Sequence, residues 1–429
     1  MATKWGICSA GKVSRDFSVA VNLLPSEEHK IIAVASRELT KAKQFVKNYK
    51  LDNTKAYGSY QQLADDSNVE VVYIGAIHTE HYKLTTLFLM HGKHVLCEKP
   101  AAMNSAQLDE MIRLADKKKL FFMEGLWSRF FPVYRQLRHE LDTQSLGTVR
   151  YLHATLGSPI TGVPRLVKKE LGGGSLLDLG IYLLQLACFV FEDPPIGVES
   201  TGSLNEEGVD EKVAITLHYS GNRTAQLSCD ITMWLPNKAM VCGSKGIIEI
   251  PDKFWCPTSI VKDGERKDFP LPKGEFIERW FNTPGFQYQA AAVRESLLKG
   301  ELQNASAPHK DSTLIHQLMD TIRKQIGVHY DADGPIPNSN PSYSVNATSY
   351  SINAQMIDFG LVGCNGDVNC DEGVKGDLDS DVNVGSDDDV KMDSNYIVNG
   401  TADIKMNGKI DDNMDSKGTR CQCTLKTIN

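Results

Sequence analysis

The feature that most constrains the fold is a regular alternation, over residues 1–125, of short apolar runs with segments of helical periodicity. The apolar runs have the character of buried parallel strands: Trp5–Cys8, Ile31–Ala35, Val71–Ile74, His94–Cys97 and Phe121–Met123. The helical segments between them include Ala42–Tyr49, Tyr82–Met90 and Ala106–Lys118, with Thr40 and Asn104 in N-cap positions. Strands alternating with helices of this length form βαβ units, so we expect a doubly wound parallel sheet in an α/β domain spanning residues 1–125.

The pattern changes after Leu126. Glu170–Phe191 opens with three glycines and continues as an apolar helix, and Phe286–Lys299 and Asp311–Gly327 are the last helical patterns. Between them lie strand-like segments separated by turn sequences: Lys212–Tyr219, Thr224–Thr232, Lys238–Cys242, Gly246–Ile250 and Ser259–Lys262. Residues 126–330 are therefore expected to form an α+β domain with an open, largely antiparallel sheet.

The last part of the chain, residues 331–429, is rich in Asn, Asp, Ser and Gly. It holds 17 acidic against 7 basic residues, whereas residues 1–330 hold 37 against 39, so the chain's net charge of −8 resides in this tail. With few aromatic residues and no periodicity, it cannot offset the entropy of ordering, and we expect a disordered acidic tail. The run Asp377-x-Asp379-x-Asp381 resembles the start of a calcium-binding loop, but Val382 stands where a glycine is needed, so we expect no metal site.

The composition also argues against several classes of protein. No basic stripe suggests nucleic-acid binding, and no apolar run suggests a membrane span, so no nucleic-acid or membrane partner is expected. The chain runs from Met1 directly into a strand pattern, which argues against a signal peptide. The cysteines lie apart, mostly among apolar neighbours, as reduced thiols do in a cytoplasmic protein.

A nucleotide-binding turn is predicted at the first strand end. The segment reads Ser9-x-Gly11-x-x-Ser14, against GxGxxG in the usual Rossmann fingerprint. Gly11 occupies the central position, where the backbone must approach a pyrophosphate closely. Lys12 and Val13 open the following helix, whose free N–H groups attract phosphates. We expect a dinucleotide site here.

The end of the second strand predicts which dinucleotide is bound. NAD enzymes usually place an acidic residue there to hold the ribose 2′-hydroxyl. This chain has Ser36 and Arg37, with Lys41 one helical turn on, a set suited to a 2′-phosphate and hence to NADP. The alternative is an arginine that is merely solvated, and Glu38 beside it is the feature that favours this alternative.

Cys97-Glu98-Lys99-Pro100 ends the fifth predicted strand, at the sheet edge where open α/β folds bind ligands. Together with the nucleotide turn, it occurs in order with three other segments: Ile77–His81, Met123–Pro132 and Gly172–Tyr182. On these motifs residues 1–330 resemble the Gfo/Idh/MocA oxidoreductase family. The resemblance implies contacts to the cofactor from Glu98, Lys99 and His81.

Within that family, Leu-Asp178-Leu-Gly-Ile-Tyr182 and the segment around Trp127 resemble the branch of dimeric dihydrodiol dehydrogenases. The resemblance implies NADP-linked oxidation of trans-dihydrodiols or of an aldose such as D-xylose, and a homodimer joined through the second sheet. Leu156 aligns with a phenylalanine of that branch's apolar substrate pocket, a departure that bears on aromatic substrates.

The residue chemistry agrees with this resemblance. Oxidation of a carbinol needs a hydride acceptor and a base for the hydroxyl proton. We expect Tyr182 and Lys99 to form the proton relay, with Lys99 lowering the pKa of Tyr182, and either of the two can be the ultimate base. Asp178 is expected to orient one of them from the same helical face as Tyr182. His81 is expected to flank the nicotinamide and Trp127 to wall the substrate pocket. Each of these residues also has a plain structural interpretation, Tyr182 and Trp127 as core aromatics, His81 as a helix-start residue and Lys99 as a surface lysine.

Two classes of function follow. The first is an NADP-dependent dehydrogenase acting on a small alcohol or sugar. The second is a regulator or scaffold of the same fold that binds the nucleotide without turnover. The presence of Lys99, Asp178 and Tyr182 together favours the first.

Overall fold

A computed structural model describes residues 1–273 and 282–335. Its N-terminal part is a six-stranded, fully parallel sheet in the order β3-β2-β1-β4-β5-β6, which confirms the predicted doubly wound domain. The strands are β1 Thr3–Cys8, β2 His29–Ala35, β3 Lys55–Tyr57, β4 Val71–Ile74, β5 His94–Glu98 and β6 Phe122–Gly125. Because helices cover both faces, most strands are buried throughout and read as continuous apolar runs.

Five helices connect these strands: α1 Lys12–Asn22, α2 Leu39–Asn48, α3 Tyr60–Asp65, α4 His78–Met90 and α5 Ser105–Lys118. Asn104 caps α5 as predicted, since its side chain accepts a hydrogen bond from the Gln107 N–H. The prediction of Thr40 as a cap was wrong. Helix α2 begins at Leu39 after Glu38, whose side chain makes no capping bond.

The second part is a mixed, mostly antiparallel sheet of eight strands in the order β14-β13-β12-β11-β7-β10-β9-β8. The strands are β7 Val149–Gly157, β8 Gly197–Leu204, β9 Asp210–Tyr219, β10 Arg223–Asp230, β11 Ala239–Gly243, β12 Ile247–Ile250, β13 Ser259–Lys262 and β14 Glu265–Asp268. Only β7 and β10 run parallel among these strands. Helix α8, Ile181–Phe191, lies buried against the inner face of this sheet. The α+β prediction is confirmed.

The remaining helices join the two sheets. They are α6 Pro132–Asp142, the short α7 Pro164–Val167, α9 Phe286–Leu298 and α10 His309–Ile326. Helix α9 packs on α1, and α10 packs on both α5 and α8. Helix α10 also packs on β8, so it links the helices of the parallel sheet to the second sheet.

The elements that the sequence did not predict are short or polar. Strand β3 has three residues, β8 alternates half-exposed and exposed positions, and β14 is a fully exposed polar strand. Strand β7 begins with the partly exposed Val149, Arg150 and Tyr151 before its buried residues. A search for apolar runs in the sequence misses strands of this kind, because backbone hydrogen bonds to neighbouring strands hold them in place.

The outer face of the second sheet differs from expectation. An open sheet with one helix-covered face is expected to leave an apolar outer face that a second copy of the chain would cover. This face instead presents polar side chains, among them Tyr151, His153, Thr216, His218 and Gln226. The Tyr151 hydroxyl donates to the side-chain amide oxygen Oε1 of Gln226 on the neighbouring strand at 2.7 Å. Successive side chains of a strand point to opposite faces of the sheet, so the apolar residues of these strands lie on the inner face, toward α8.

The described chain continues past residue 331, where we had placed the start of the tail. Asp331–Asp333 forms a helical turn, and Asp333 pairs with Arg323 at 2.6 Å and receives a hydrogen bond from Asn104. The domain boundary therefore lies beyond this turn. The predicted disordered tail from residue 336 onward, with its Asp377–Asp381 run, lies outside the described residues.

One segment, Lys169–Phe191, is long and apolar enough to cross a membrane by length and composition, contrary to the expectation that no such run exists. All of its most hydropathic window is buried inside the protein. It forms the approach to α8 and α8 itself, so its apolarity reflects its place in the core.

Candidate active site

The nucleotide turn lies between β1 and α1, at the point where the strand order of the parallel sheet reverses. Ser9 has a φ of 82°, so it adopts the conformation that the first fingerprint glycine usually provides. Helix α1 follows Gly11 without any side-chain cap, which leaves its first N–H groups for a ligand. A Cβ atom on Gly11 would lie 3.5 Å from the Gly75 carbonyl oxygen, in a cradle open between two strand ends. This arrangement fits a pyrophosphate.

Ser14 occupies the third fingerprint position and is fully buried. Its hydroxyl lies so close to Gly75 that any Cβ there would collide with it. In the usual fingerprint, a glycine at the position of Ser14 lets the helix approach the sheet closely. Here Gly75, at the end of β4, allows that approach instead. The degenerate fingerprint retains its geometry.

The residues predicted to bind a 2′-phosphate lie at the end of β2. Ser36 is buried, whereas Arg37 and Lys41 are exposed. The Lys41 ammonium lies 2.8 Å from Glu38, so this acidic residue already engages one of the two cations. Tyr60, which the sequence did not single out, lies near Ser9 and Arg37. Burial raises the pKa of Tyr60, and the positive charge of Arg37 works in the opposite direction.

The catalytic prediction concerned Lys99, Asp178 and Tyr182, hereafter the catalytic cluster. The structure brings all three together at the carboxyl end of β5, next to the start of α8. Lys99 extends from the end of β5, and its ammonium donates to the Asp178 backbone carbonyl at 2.6 Å and lies 3.4 Å from Asp178 Oδ1. The same ammonium lies 4.7 Å from the centre of the Tyr182 ring, within the range of a cation–π contact. The Lys99 side chain is therefore largely buried and paired, and it is not a surface lysine.

Nitrogen atoms of Arg165, Lys99 and the neutral His78 surround one carboxylate oxygen of Asp178. Oδ1 lies 3.0 Å from Arg165 Nη1, 3.4 Å from Lys99 Nζ and 3.9 Å from His78 Nε2. Although burial works in the opposite direction, the charges of Arg165 and Lys99 hold the pKa of Asp178 well below its usual range. Within residues 1–273 and 282–335, Oδ2 has no hydrogen-bond partner, so this oxygen is available to a substrate hydroxyl.

Tyr182 is almost completely buried, and its hydroxyl accepts a hydrogen bond from Trp127 Nε1 at 3.1 Å. The expectation that Lys99 lowers the tyrosine pKa was wrong for this state. Burial, followed by the nearby carboxylates Glu98 and Asp178, raises the pKa of Tyr182 well above its usual value. The ammonium lies over the ring and is shared with Asp178, so it does not offset these effects.

Two histidines lie at the start of α4. His81 is fully buried, with Nδ1 2.7 Å from the Pro100 carbonyl and Nε2 3.0 Å from the Ala76 carbonyl, and it links the ends of β4 and β5. Burial lowers its pKa. His78, which the sequence analysis passed over, instead borders the catalytic cluster. Its Nδ1 lies 3.1 Å from the Gly172 carbonyl, and burial followed by the charge of Arg165 lowers its pKa to about 3, so it is neutral.

Glu98 is buried beside the cluster. Its Oε1 accepts a hydrogen bond from the Tyr73 hydroxyl at 2.7 Å, and its Oε2 accepts one from the Lys99 N–H. Burial raises its pKa to about 7, so this carboxyl changes charge near neutral pH. The structure places it in the loop that carries Lys99, and its predicted contact with the cofactor remains a prediction.

The loop that follows Lys99 is also held by a buried pair of side chains, Glu124 and His316. Glu124 Oε1 lies 2.9 Å from His316 Nε2 and accepts a hydrogen bond from the Ala101 N–H at 2.8 Å. Both side chains are completely buried. His316 belongs to α10, so the last helix fixes the position of the loop after Lys99. The motif around residue 124 was visible in the sequence, but its partner, 192 residues away, was not.

Helix α8 carries Tyr182 of the predicted proton relay and is called the catalytic helix below; the turn that precedes it sets its position. Residues Leu176–Gly180 form a π-helical turn before α8, a geometry often found at functional sites. Asp210 holds the start of this turn, since its Oδ2 accepts hydrogen bonds from the Ser175 hydroxyl at 2.7 Å and the Leu176 N–H at 2.6 Å. Burial raises the pKa of Asp210 to about 6.

Trp127 and Leu156 were predicted to contact the substrate. Trp127 borders the Tyr182 hydroxyl and stacks on Phe286 with ring centres 4.5 Å apart. Leu156 is buried on the inner face of β7. Its contact with a substrate stays a prediction. No group of three or more potential metal ligands occurs within the described ranges.

Both parts of the chain match family models. A family model described as "Oxidoreductase family, NAD-binding Rossmann fold" matches residues 3–126, and the "GFO/IDH/MocA C-terminal domain" matches residues 134–249. The chain belongs to the GFO/IDH/MocA family and is an NAD(P)-binding oxidoreductase.

Among its relatives, a trans-1,2-dihydrobenzene-1,2-diol dehydrogenase of Xenopus tropicalis is 46% identical over 331 residues, which cover 77% of this chain and all of the relative. The Homo sapiens protein of the same name is 41% identical over 334 residues, covering 78% of this chain and 99% of that one. A solved structure of KijD10, a 3-ketoreductase from Actinomadura kijaniata in complex with NADP and TDP-benzene, is 22% identical and superimposes with a TM-score of 0.65. The superposition covers 77% of this chain and 99% of the KijD10 chain, and it shows that the two share a fold.

Proposed function

We propose that this protein oxidises a secondary alcohol with NADP, the alcohol being a trans-dihydrodiol of an aromatic ring or an aldose such as D-xylose. The observation that carries the proposal is the convergence of Lys99, Asp178 and Tyr182 at the carboxyl end of β5, in the same parallel sheet as the strand that precedes the nucleotide turn. The relatives named as dihydrodiol dehydrogenases support this choice of substrate.

The chain's own residues suggest how the proton moves. When bound, NADP supplies the hydride acceptor. Tyr182 is the residue nearest to this task, because its hydroxyl reaches the pocket wall at Trp127 and can accept the carbinol proton once it has lost its own. Asp178 Oδ2 orients the substrate by accepting a hydrogen bond. Because the pKa of Tyr182 is raised, the phenolate is scarce at neutral pH and oxidation favours alkaline conditions.

The preference for NADP rests on Ser36, Arg37 and Lys41. Arg37 is exposed at the end of β2, where a guanidinium can form a two-pronged contact with a phosphate. Lys41 lies one turn on but pairs with Glu38, so Arg37 supplies most of the discrimination against NAD.

Assembly and compartment follow as further parts of the proposal. We place the interface of a homodimer on the outer face of the second sheet, where polar side chains around Tyr151 suit an interface that is only moderately apolar. A monomer in sedimentation at micromolar concentration would contradict this. Cytoplasmic residence agrees with six free cysteines among the described residues, five of them buried.

The test is reduction of NADP, followed at the absorbance of the reduced nicotinamide, with a panel of trans-dihydrodiols, aldoses and simple secondary alcohols. We expect turnover with at least one diol or aldose and a rate that rises with pH. Nucleotide binding without turnover of any alcohol would overturn the proposal.

A further inference from the structure

The residue that approaches Asp178 most closely from outside the known motifs is Arg165. It belongs to the short helix α7, and its Nη1 lies 3.0 Å from Asp178 Oδ1. We infer that Arg165 determines substrate specificity by recognising, together with Asp178 Oδ2, the second hydroxyl of a 1,2-diol. This inference rests on the proposed function.

Arg165 is held in place by backbone packing. The Gly174 N–H donates to the Leu166 carbonyl at 2.8 Å, and a Cβ atom on Gly173 would lie 2.6 Å from the same oxygen. Only a glycine permits this approach. Helix α7 is thereby fixed against the turn that opens the catalytic helix, so the guanidinium has a defined position relative to Asp178.

The side chains of the site differ in exposure. The Lys99 and Asp178 side chains are 12% and 10% exposed, whereas that of Arg165 is 36% exposed. Within the part of the chain that the structure describes, only Nη1 of its three guanidinium nitrogens has a hydrogen-bond partner. Arg165 thus adds free donors beside the free acceptor Oδ2 of Asp178.

A donor beside an acceptor selects for a particular ligand group. A hydroxyl can donate to the carboxylate and accept from the guanidinium at the same time. A ligand carboxylate offers acceptors only, and the negative charge of Asp178 would repel it. A monoalcohol has no second hydroxyl, so it leaves Arg165 and Asp178 Oδ2 without a ligand partner. Since the Lys99 ammonium lies 3.4 Å from Asp178 Oδ1 and 4.7 Å from the centre of the Tyr182 ring, Asp178 and Tyr182 lie close enough for a diol to present one hydroxyl to each.

The experiment compares kcat/KM for trans-cyclohexane-1,2-diol and cyclohexanol, both with NADP. We expect the wild-type protein to favour the diol by about 10–100-fold, the range for an unmatched polar pair at a binding site. Arg165→Met keeps most of the side-chain length and removes the donors, so it should lower that ratio about tenfold. Arg165→Lys should restore part of it, and Arg113→Met, which removes a charge from the exposed face of α5, should leave it unchanged.

The outcomes separate this inference from the proposed function. If Arg165→Met lowers activity on both substrates equally, the residue only supports the fold or the charge of Asp178, and the inference is wrong. A wild-type ratio near one, with good turnover of other alcohols, also overturns it while leaving the proposed function intact. Failure to turn over any alcohol would overturn both.

Discussion

The catalytic cluster and the residues expected to hold the 2′-phosphate differ in how far the protein assembles them. Lys99, Asp178 and Tyr182 are buried and already joined by hydrogen bonds and a cation–π contact. Arg37 and Lys41 are exposed, and Lys41 is engaged by Glu38. Chemistry requires groups held in position before the substrate arrives, whereas a charged phosphate can organise flexible cations when it binds. Variants should therefore affect rates at the first place and affinities at the second.

The largest effect is expected for Tyr182→Phe, which removes the hydroxyl and keeps the ring. Turnover should fall by about 10²–10⁴ while nucleotide binding persists. Because burial raises the pKa of Tyr182, the wild-type oxidation rate should still be rising at mildly alkaline pH, and the variant should lose that rise. Initial rates across pH and a fluorescence titration with NADP measure the two quantities.

Tyr82→Phe is the matched control, since Tyr82 lies on α4 with its hydroxyl bonded to Glu110. It should behave as wild type. Normal turnover of Tyr182→Phe would transfer the role of base to Lys99, and Lys99→Met would then have to show the larger loss.

The second prediction concerns cofactor choice. Arg37→Gln should lower the preference for NADP over NAD about 10–100-fold, because a largely desolvated arginine–phosphate contact contributes roughly 1.5–3 kcal/mol. The loss should appear in KM for NADP, with kcat nearly constant. Equal efficiency of the wild-type protein with both cofactors would show that Arg37 is merely solvated.

The sequence predicted the residues of the catalytic cluster but not the side chains around them. Local patterns located Gly11, Lys99, Asp178 and Tyr182, because each lies in a strand-end or helix motif. Their surroundings are non-local: Arg165 reaches Asp178 from a separate short helix, and a helix near residue 316 supports the loop after Lys99. The direction of the Tyr182 pKa also depended on burial, which no spacing of residues reveals.

A third prediction tests the support of the catalytic helix. The pKa of Asp210 is raised from its usual value to about 6, so between pH 4 and 6 the folded protein holds a proton that the unfolded chain has lost. Its contribution to the free energy of unfolding therefore falls as pH rises through this window, by on the order of 1–3 kcal/mol. Asp210→Asn can keep both accepted hydrogen bonds without a charge.

The variant should melt at a higher temperature than wild type at pH 8, and the difference should shrink toward pH 5. Thermal melts at several pH values measure it. If Asp210→Asn instead lowered the melting temperature equally at every pH, the turn at Ser175 would require a carboxylate. The hydrogen bonds that Asp210 accepts would then outweigh the cost of burying its charge.

The smallest expected effect sharpens the contrast between the two places. Glu38→Gln removes the partner of Lys41 and frees its ammonium for the 2′-phosphate. Exposed ion pairs contribute only about 0.2–1 kcal/mol, so KM for NADP should fall by roughly two- to fivefold and kcat should not change. The gain should diminish at high salt, because screening weakens exposed charges most. Glu110→Gln, on the exposed side of α5, serves as the control for an equal change in net charge. If Glu38→Gln weakened NADP binding instead, Glu38 would be holding Lys41 in place for the phosphate, and this site would be preassembled like the catalytic cluster.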